Sequence, residues 1–137
     1  MSDLSQSRPE EESAVRAVVE NWAAAVRRKD VVAILANHSQ DFLMFDVPPP
    51  FSSRGIDEYR GTWDLFYSAA TDPVVFDIEK MEIAAGSDVA FVAAFMRCRH
   101  IDRGIPTDLD FRLTVGLRKI AGQWAIMHEH HSVPATQ

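Results

Sequence analysis

The segment His128-Glu129-His130-His131 places three of the chain's five histidines and a carboxylate in four consecutive residues. These side chains move protons near neutral pH or ligate metals. On an extended strand neighbours point to opposite faces, so His128 and His130 share one face while Met127, Glu129 and His131 share the other. Two same-face histidines sit roughly 7 Å apart and could share a zinc ion with a carboxylate. Spacing supplies no third ligand, and histidines at a strand end more often hydrogen-bond locally or fill an interface. No metal is expected. Arg97, Arg99 and His100, with Arg112 nearby, form either a solvated strand end or a cationic patch able to hold a carboxylate or enolate. Trp22, Tyr59 and Trp63 are large aromatics suited to a core or to the wall of a ligand pocket. Cys98 has no adjacent base or helix N-terminus to activate it and reads as a buried small residue. The scattered turn glycines form no phosphate-binding loop or dinucleotide fingerprint, so no cofactor is expected.

The elements that position these residues follow from periodicity. Ser7-Arg8-Pro9-Glu10 has capping-box spacing, and Val15, Val18, Val19, Trp22 and Val26 then recur at helical intervals up to the basic cluster Arg27-Arg28-Lys29. Asp30 caps a shorter helix carrying Val31, Ile34, Leu35 and His38. Residues 41–47 suit a short strand ended by Pro48-Pro49-Pro50. Ile56, Tyr59, Trp63, Phe66 and Ala70 mark a third helix, stopped by Asp72-Pro73. Strands are predicted at 74–84, 88–101, 108–119 and 123–133, joined by short turns as an antiparallel meander. Apolar parity changes between Ile78 and Met81, which predicts a bulge near Glu79 or Lys80. The order is α+β: three helices from the N-terminal half against a curved, mostly antiparallel sheet.

The chain has 137 residues, 47% of them hydrophobic, enough for one domain with a sizeable core; residues 1–6 are polar and expected to fray. A net charge of −6 offers no field for phosphate backbones or anionic membranes, so neither nucleic acid nor membrane is an expected partner. A single cysteine fits a reducing compartment, and neither a spanning apolar run nor a basic leader is present; a soluble, unprocessed, cytoplasmic protein is expected.

This element order, together with the ending Trp124-Ala-Ile126-Met-His128-Glu-His130-His131-Ser132-Val-Pro134, resembles the nuclear transport factor 2-like cone superfamily, and its SnoaL-like branch in particular. Members include ketosteroid isomerases, scytalone dehydratase, polyketide cyclases and the association domain of calcium/calmodulin-dependent protein kinase II. Several members are not enzymes. From Trp22 to Trp63 the chain is similar to the ketosteroid isomerases without a gap, which implies that Asp46 occupies the place of their proton-abstracting aspartate. A carboxylate held in an apolar cavity is poorly solvated, and its pKa can rise toward that of a useful base. The other reading of Asp46 is a strand-end aspartate accepting backbone N–H groups at the Pro48 turn. The isomerases' oxyanion tyrosine falls at Trp22 and their protonated aspartic acid at Thr114, so both strong donors are replaced and true steroid isomerisation is not expected.

The resemblance implies a cone enclosing a pocket, with Asp46 as base, Trp22, Tyr59 and Trp63 as walls, and Arg112, Thr114, Glu129 or His131 orienting a small apolar carbonyl or ring compound. The reaction would be a cofactor-free isomerisation, dehydration, hydration or cyclisation; the alternative is a non-catalytic binding or dimerisation module. Hydrophobicity places Leu113, Val115, Leu117, Trp124 and Ile126 inside, with His128 and His130 at the mouth. The isomerase comparison reverses this, putting Thr114, Met127, Glu129 and His131 in the pocket and the apolar face in a homodimer interface. We take the second arrangement, because a large interface keeps those apolar residues from water.

Overall fold

The structure is a computed structural model and describes residues 7–135; the expected fraying of residues 1–6 lies outside them. Helix α1 spans Pro9–Arg28, with Glu10, Glu11 and Glu12 in its first turn and Arg27 and Arg28 in its last, both favourable to the helix dipole. Its buried stripe is Val15, Val19, Trp22, Ala23 and Val26. The expected capping box does not form. Arg8 is the N-cap without a side-chain bond, and the Ser7 hydroxyl instead accepts the Ala85 N–H at 2.7 Å. Helix α2, Val31–Leu35, is capped by Asp30, whose carboxylate accepts the Ala33 N–H.

Here the chain departs from the sequence reading. Helix α2 ends with Ala36 already extended, and Asn37, at a positive φ of 62°, turns the chain toward the sheet. His38, expected on the helical stripe, therefore opens strand β1, His38–Phe45. Strand β2, Ser53–Arg54, is an unanticipated two-residue edge that leads into α3, Gly55–Ala69. Strand β3 already begins at Ala70 and runs to Ala85, so the third helix stops before Asp72-Pro73. Strands β4, Val89–Asp102, β5, Ile105–Ile120, and β6, Gln123–Ser132, complete the meander.

The six strands lie in the order β2-β1-β6-β5-β4-β3. All pairs are antiparallel except β1 with β6, so the sheet is mixed. The sheet curls strongly over the helices as the cone of the nuclear transport factor 2-like fold. Among the described residues no helix is long and apolar enough to cross a membrane.

Among the register shifts of this sheet, two decide which side chains face inward. Ile78 pairs with Met96 and Lys80 with Phe95, leaving Glu79 as the extra residue, as the parity change predicts. A second, unforeseen bulge lies at Met127, because Leu117 pairs with Ile126 while Gly116 pairs with His128. It flips the parity of β6 midway. Trp124 and Ile126 face the core with Leu113, Val115 and Leu117, and Glu129 and His131 beyond the bulge also face inward. The two opposed face assignments thus each hold for part of the strand. The apolar face forms the core beneath the helices, which corrects its assignment to a dimer interface. Deleting Met127 forces one of the two halves of β6 outward. We expect a loss of at least about 3 kcal/mol, roughly 10 °C in melting temperature, read by thermal denaturation.

Candidate functional site

The curl of the sheet and helix α3 enclose a cavity of about 610 Å³. Met44, Trp63, Phe76, Phe111 and His131, all buried, form its inner wall, and the exposed Pro48, Pro49, Pro50, Glu58 and Arg103 contribute its rim. Asp46 follows β1 into this space. Its Oδ1 accepts the Val47 N–H at 2.8 Å and lies 3.5 Å from His131 Nδ1, with a quarter of the side chain exposed. Asp46 thus accepts a backbone N–H just before the Pro48 turn and also lines the cavity.

Behind this wall lies a buried polar chain. His131 Nε2 donates to Glu129 Oε1 at 2.9 Å, and His38 Nε2 donates to Oε2 at 2.8 Å. The Tyr59 hydroxyl donates to the same carboxylate, 2.9 Å from Oε2, and accepts the Trp22 indole N–H at 2.8 Å. His38 Nδ1 donates to the Ala36 carbonyl at 3.0 Å. Glu129 is 1% exposed, an environment that by itself opposes ionisation. The bonds from His131 and His38 and their positive charge outweigh this and bring its pKa down to about 2. For His131, burial disfavours the charged ring, but Asp46 and Glu129 on its two nitrogens raise its pKa to about 9. Burial, reinforced by the Glu129 charge, pushes the Tyr59 phenol well up and keeps it a donor. The His131 ring stacks on Phe111, with centroids 5.1 Å apart, and meets the edge of Trp22.

Of the residues singled out from sequence, Asp46, Trp63 and His131 come together in the cavity wall. Trp22, Tyr59 and Glu129 stand one layer behind, holding the wall rather than forming it. Arg112 and Thr114 are exposed on the opposite face of β5, because Leu113 and Val115 between them point inward to face His131 and Glu129. They are not part of the site. Arg112 instead donates to Ser132 Oγ. The Arg97 and Arg99 patch is likewise outside, paired with Glu79 and with Asp108 and Asp110, whereas His100 and the buried Cys98 reach the cavity. Burial raises the Cys98 thiol to about 11, keeping it protonated. His128 donates to the Leu43 carbonyl and packs with His130 against Phe45. Among the described residues no group of three or more His, Cys, Asp or Glu is arranged to hold a metal ion. Sequence reasoning missed His38, since only the Asn37 turn separates a helical from a strand placement.

The strongly curled sheet over three helices is the cone of nuclear transport factor 2-like proteins. The nearest in sequence among three similar solved structures, a protein of that class of unknown function from Pseudomonas putida, is 31% identical, with a TM-score of 0.85 over 94% of this chain and 90% of its own. A protein of unknown function with a cystatin-like fold from Nostoc punctiforme superposes with a TM-score of 0.78 at 14% identity, covering 96% of each chain. A ketosteroid isomerase-like protein from Erwinia carotovora has a TM-score of 0.78 at 20% identity, covering 93% of this chain and 100% of its own; the last two likenesses concern the fold alone. The SnoaL-like domain pattern matches residues 15–136, and the chain belongs to that family, whose fold supports a small-molecule-binding domain. No curated protein is significantly similar to it.

The Glu129 and His131 shifts place an acid and an alkaline limit on stability. Glu129, lowered from 4.5, stabilises the fold fully above pH 4.5 and loses this as pH falls toward 2. His131, raised from 6.5, stabilises it fully below pH 6.5 and loses this as pH rises through about 9. Melting temperature should be flat between these limits and fall by several degrees on each side, and His131→Asn should flatten the alkaline limb in the same thermal scans.

Proposed function

We propose that the cavity takes a small, largely apolar carbonyl or ring compound and that Asp46 performs cofactor-free acid/base chemistry on it. The observation that carries this reading is the Asp46 carboxylate held 3.5 Å from the His131 ring in an aromatic-walled cavity. A carboxylate there can accept a proton from carbon beside a carbonyl while the electron pair moves onto the carbonyl oxygen. His131 is the neighbouring N–H donor for the developing negative charge, in a setting where bulk water competes little. Returning the proton to a second carbon gives an isomerisation, expelling a β-hydroxyl gives a dehydration, and attack on an internal carbonyl closes a ring. Tyr59 and Trp22 do not donate to the substrate in this scheme, because their polar atoms are spent on Glu129 and on each other. With Cys98 unpaired and buried, a reducing, cytoplasmic setting suits the chain. The test is a thermal-shift screen of small ketones, lactones and aromatic acids, followed by turnover assays on any hit. Asp46→Asn, nearly isosteric, should keep binding and lose at least about 100-fold in turnover; full turnover would remove the base assignment.

A second reading, a module working by self-association, is favoured by the outer face of β4, where Val89, Phe91 and Phe95 are 53–60% exposed in one row. We take this row as the contact between two copies, whether or not the cavity is catalytic. Phe91→Asp with Phe95→Asp should convert a dimer to a monomer in analytical ultracentrifugation; an unchanged sedimentation coefficient would remove this face.

A further inference from the structure

We propose that Glu129 is the positioning residue of this site: with His38 and Tyr59 behind it, it locks the His131 ring in the single orientation that presents Nδ1 to Asp46. The proposal deepens the acid/base reading and rests on it for its purpose, but not for its test.

The argument begins with what the ring would do alone. An imidazole can flip about its χ2 torsion and can protonate on either nitrogen, so one carboxylate beside it does not fix which atom faces a substrate. Glu129 removes that freedom from behind, because its Oε1 takes His131 Nε2 at 2.9 Å. Phe111, stacked on the ring, and Trp22, edge-on to it, close the sides. Glu129 is itself fixed by donors from two further elements, His38 of β1 and Tyr59 of α3, and Tyr59 is fixed in turn by Trp22 of α1. The acceptor is thus held from two directions before it holds the ring.

The same geometry assigns the proton. Glu129 accepts from Nε2 and the Asp46 carboxylate faces Nδ1 at an ion-pair distance of 3.5 Å, so a ring protonated on both nitrogens meets a carboxylate on each side. Among the described residues packed on it, β6 and the residue after β1 bring the titrating groups in contact, Glu129 and Asp46; α1 and β5 bring Trp22 and Phe111, which do not titrate. His38 and Tyr59 act one step away, through Glu129. His38 ends the chain, since its second nitrogen is closed by the Ala36 carbonyl and its side chain is fully buried. Asp46 and the cavity are therefore the chain's outlet for a proton, and the Glu129 end serves to aim and charge the ring.

The experiment is a histidine-labelled NMR titration of the full ligand-free chain between pH 5 and pH 10, which needs no substrate. Wild-type His131 should stay doubly protonated through neutral pH and lose a proton with a midpoint near 9. Glu129→Gln keeps the volume but removes the charge, and should lower the proton affinity of His131 at least about tenfold. Glu129→Asp, which keeps the charge, should recover part of that loss. An unchanged midpoint in Glu129→Gln overturns the proposal. Should that variant fail to fold, the wild-type curve still decides: a His131 midpoint at or below the ordinary histidine value overturns it equally. Absence of turnover on every compound screened would defeat the acid/base reading while leaving these titrations as they are.

Discussion

An ionised carboxylate almost fully removed from water is the constraint on which the rest of this structure depends. Glu129 survives as a buried charge only because His131, His38 and Tyr59 all donate to it; without them, desolvation would favour the neutral acid or an unfolded chain. Each donor comes from a different place in the chain, β6 itself, β1 and α3. Satisfying one side chain therefore registers the helices, the parallel β1–β6 edge and the meander against one another. The fold and the candidate site share a single electrostatic requirement.

Meeting that requirement takes a break in the sheet's regularity. A uniform β6 places either Trp124 and Ile126 or Glu129 and His131 inside, never both, because side chains alternate strictly along a strand. The extra residue at Met127 resolves this, letting the apolar half complete the core and the polar half enter the cone. The bulge at Glu79 does comparable work on the far side, allowing Phe76 and Ile78 below it and Met81 and Ile83 above it to face the same interior. Bulges also bend and twist the strands that carry them, so the same irregularities that sort the side chains help to hollow the sheet.

What was legible in the sequence follows from which of these effects is local. Helix α1, the four long strands and the Glu79 bulge are written in apolar periodicity, which a single strand or helix carries by itself. The Met127 bulge left no such mark, since Ile126-Met127-His128-Glu129 reads as ordinary alternation. Its position depends on how β5 and β1 pair with β6. That is why Arg112 and Thr114, beside Glu129 and His131 in an unbulged register, lie outside, and why neither of two opposed face assignments was right along the whole strand. Asp46 became visible through resemblance to the ketosteroid isomerases rather than through any pattern of its own. His38 was hidden by a five-residue helix that ends at an extended Ala36 and is followed by a turn at Asn37.

The polarity of the cavity has a consequence for what it can hold. Its aromatic walls offer contact area and few hydrogen bonds, so a ligand gains mainly by leaving water, and its orientation falls to the Asp46 and His131 end. Filling the space also displaces solvent from around Asp46, a quarter of which is exposed. In the lower dielectric that results, the attraction between Asp46 and the His131 ring strengthens, while a proton on the ligand's carbon meets a carboxylate with fewer water molecules to stabilise it. These two effects oppose each other: the first ties Asp46 to the ring and the second makes it more reactive. An apolar ligand that covers Asp46 without separating it from His131 leaves the ion pair in control. In the proposed chemistry, one whose carbonyl takes the His131 N–H for itself would release Asp46 to act as a base, and ligands would be sorted by whether they compete for that donor.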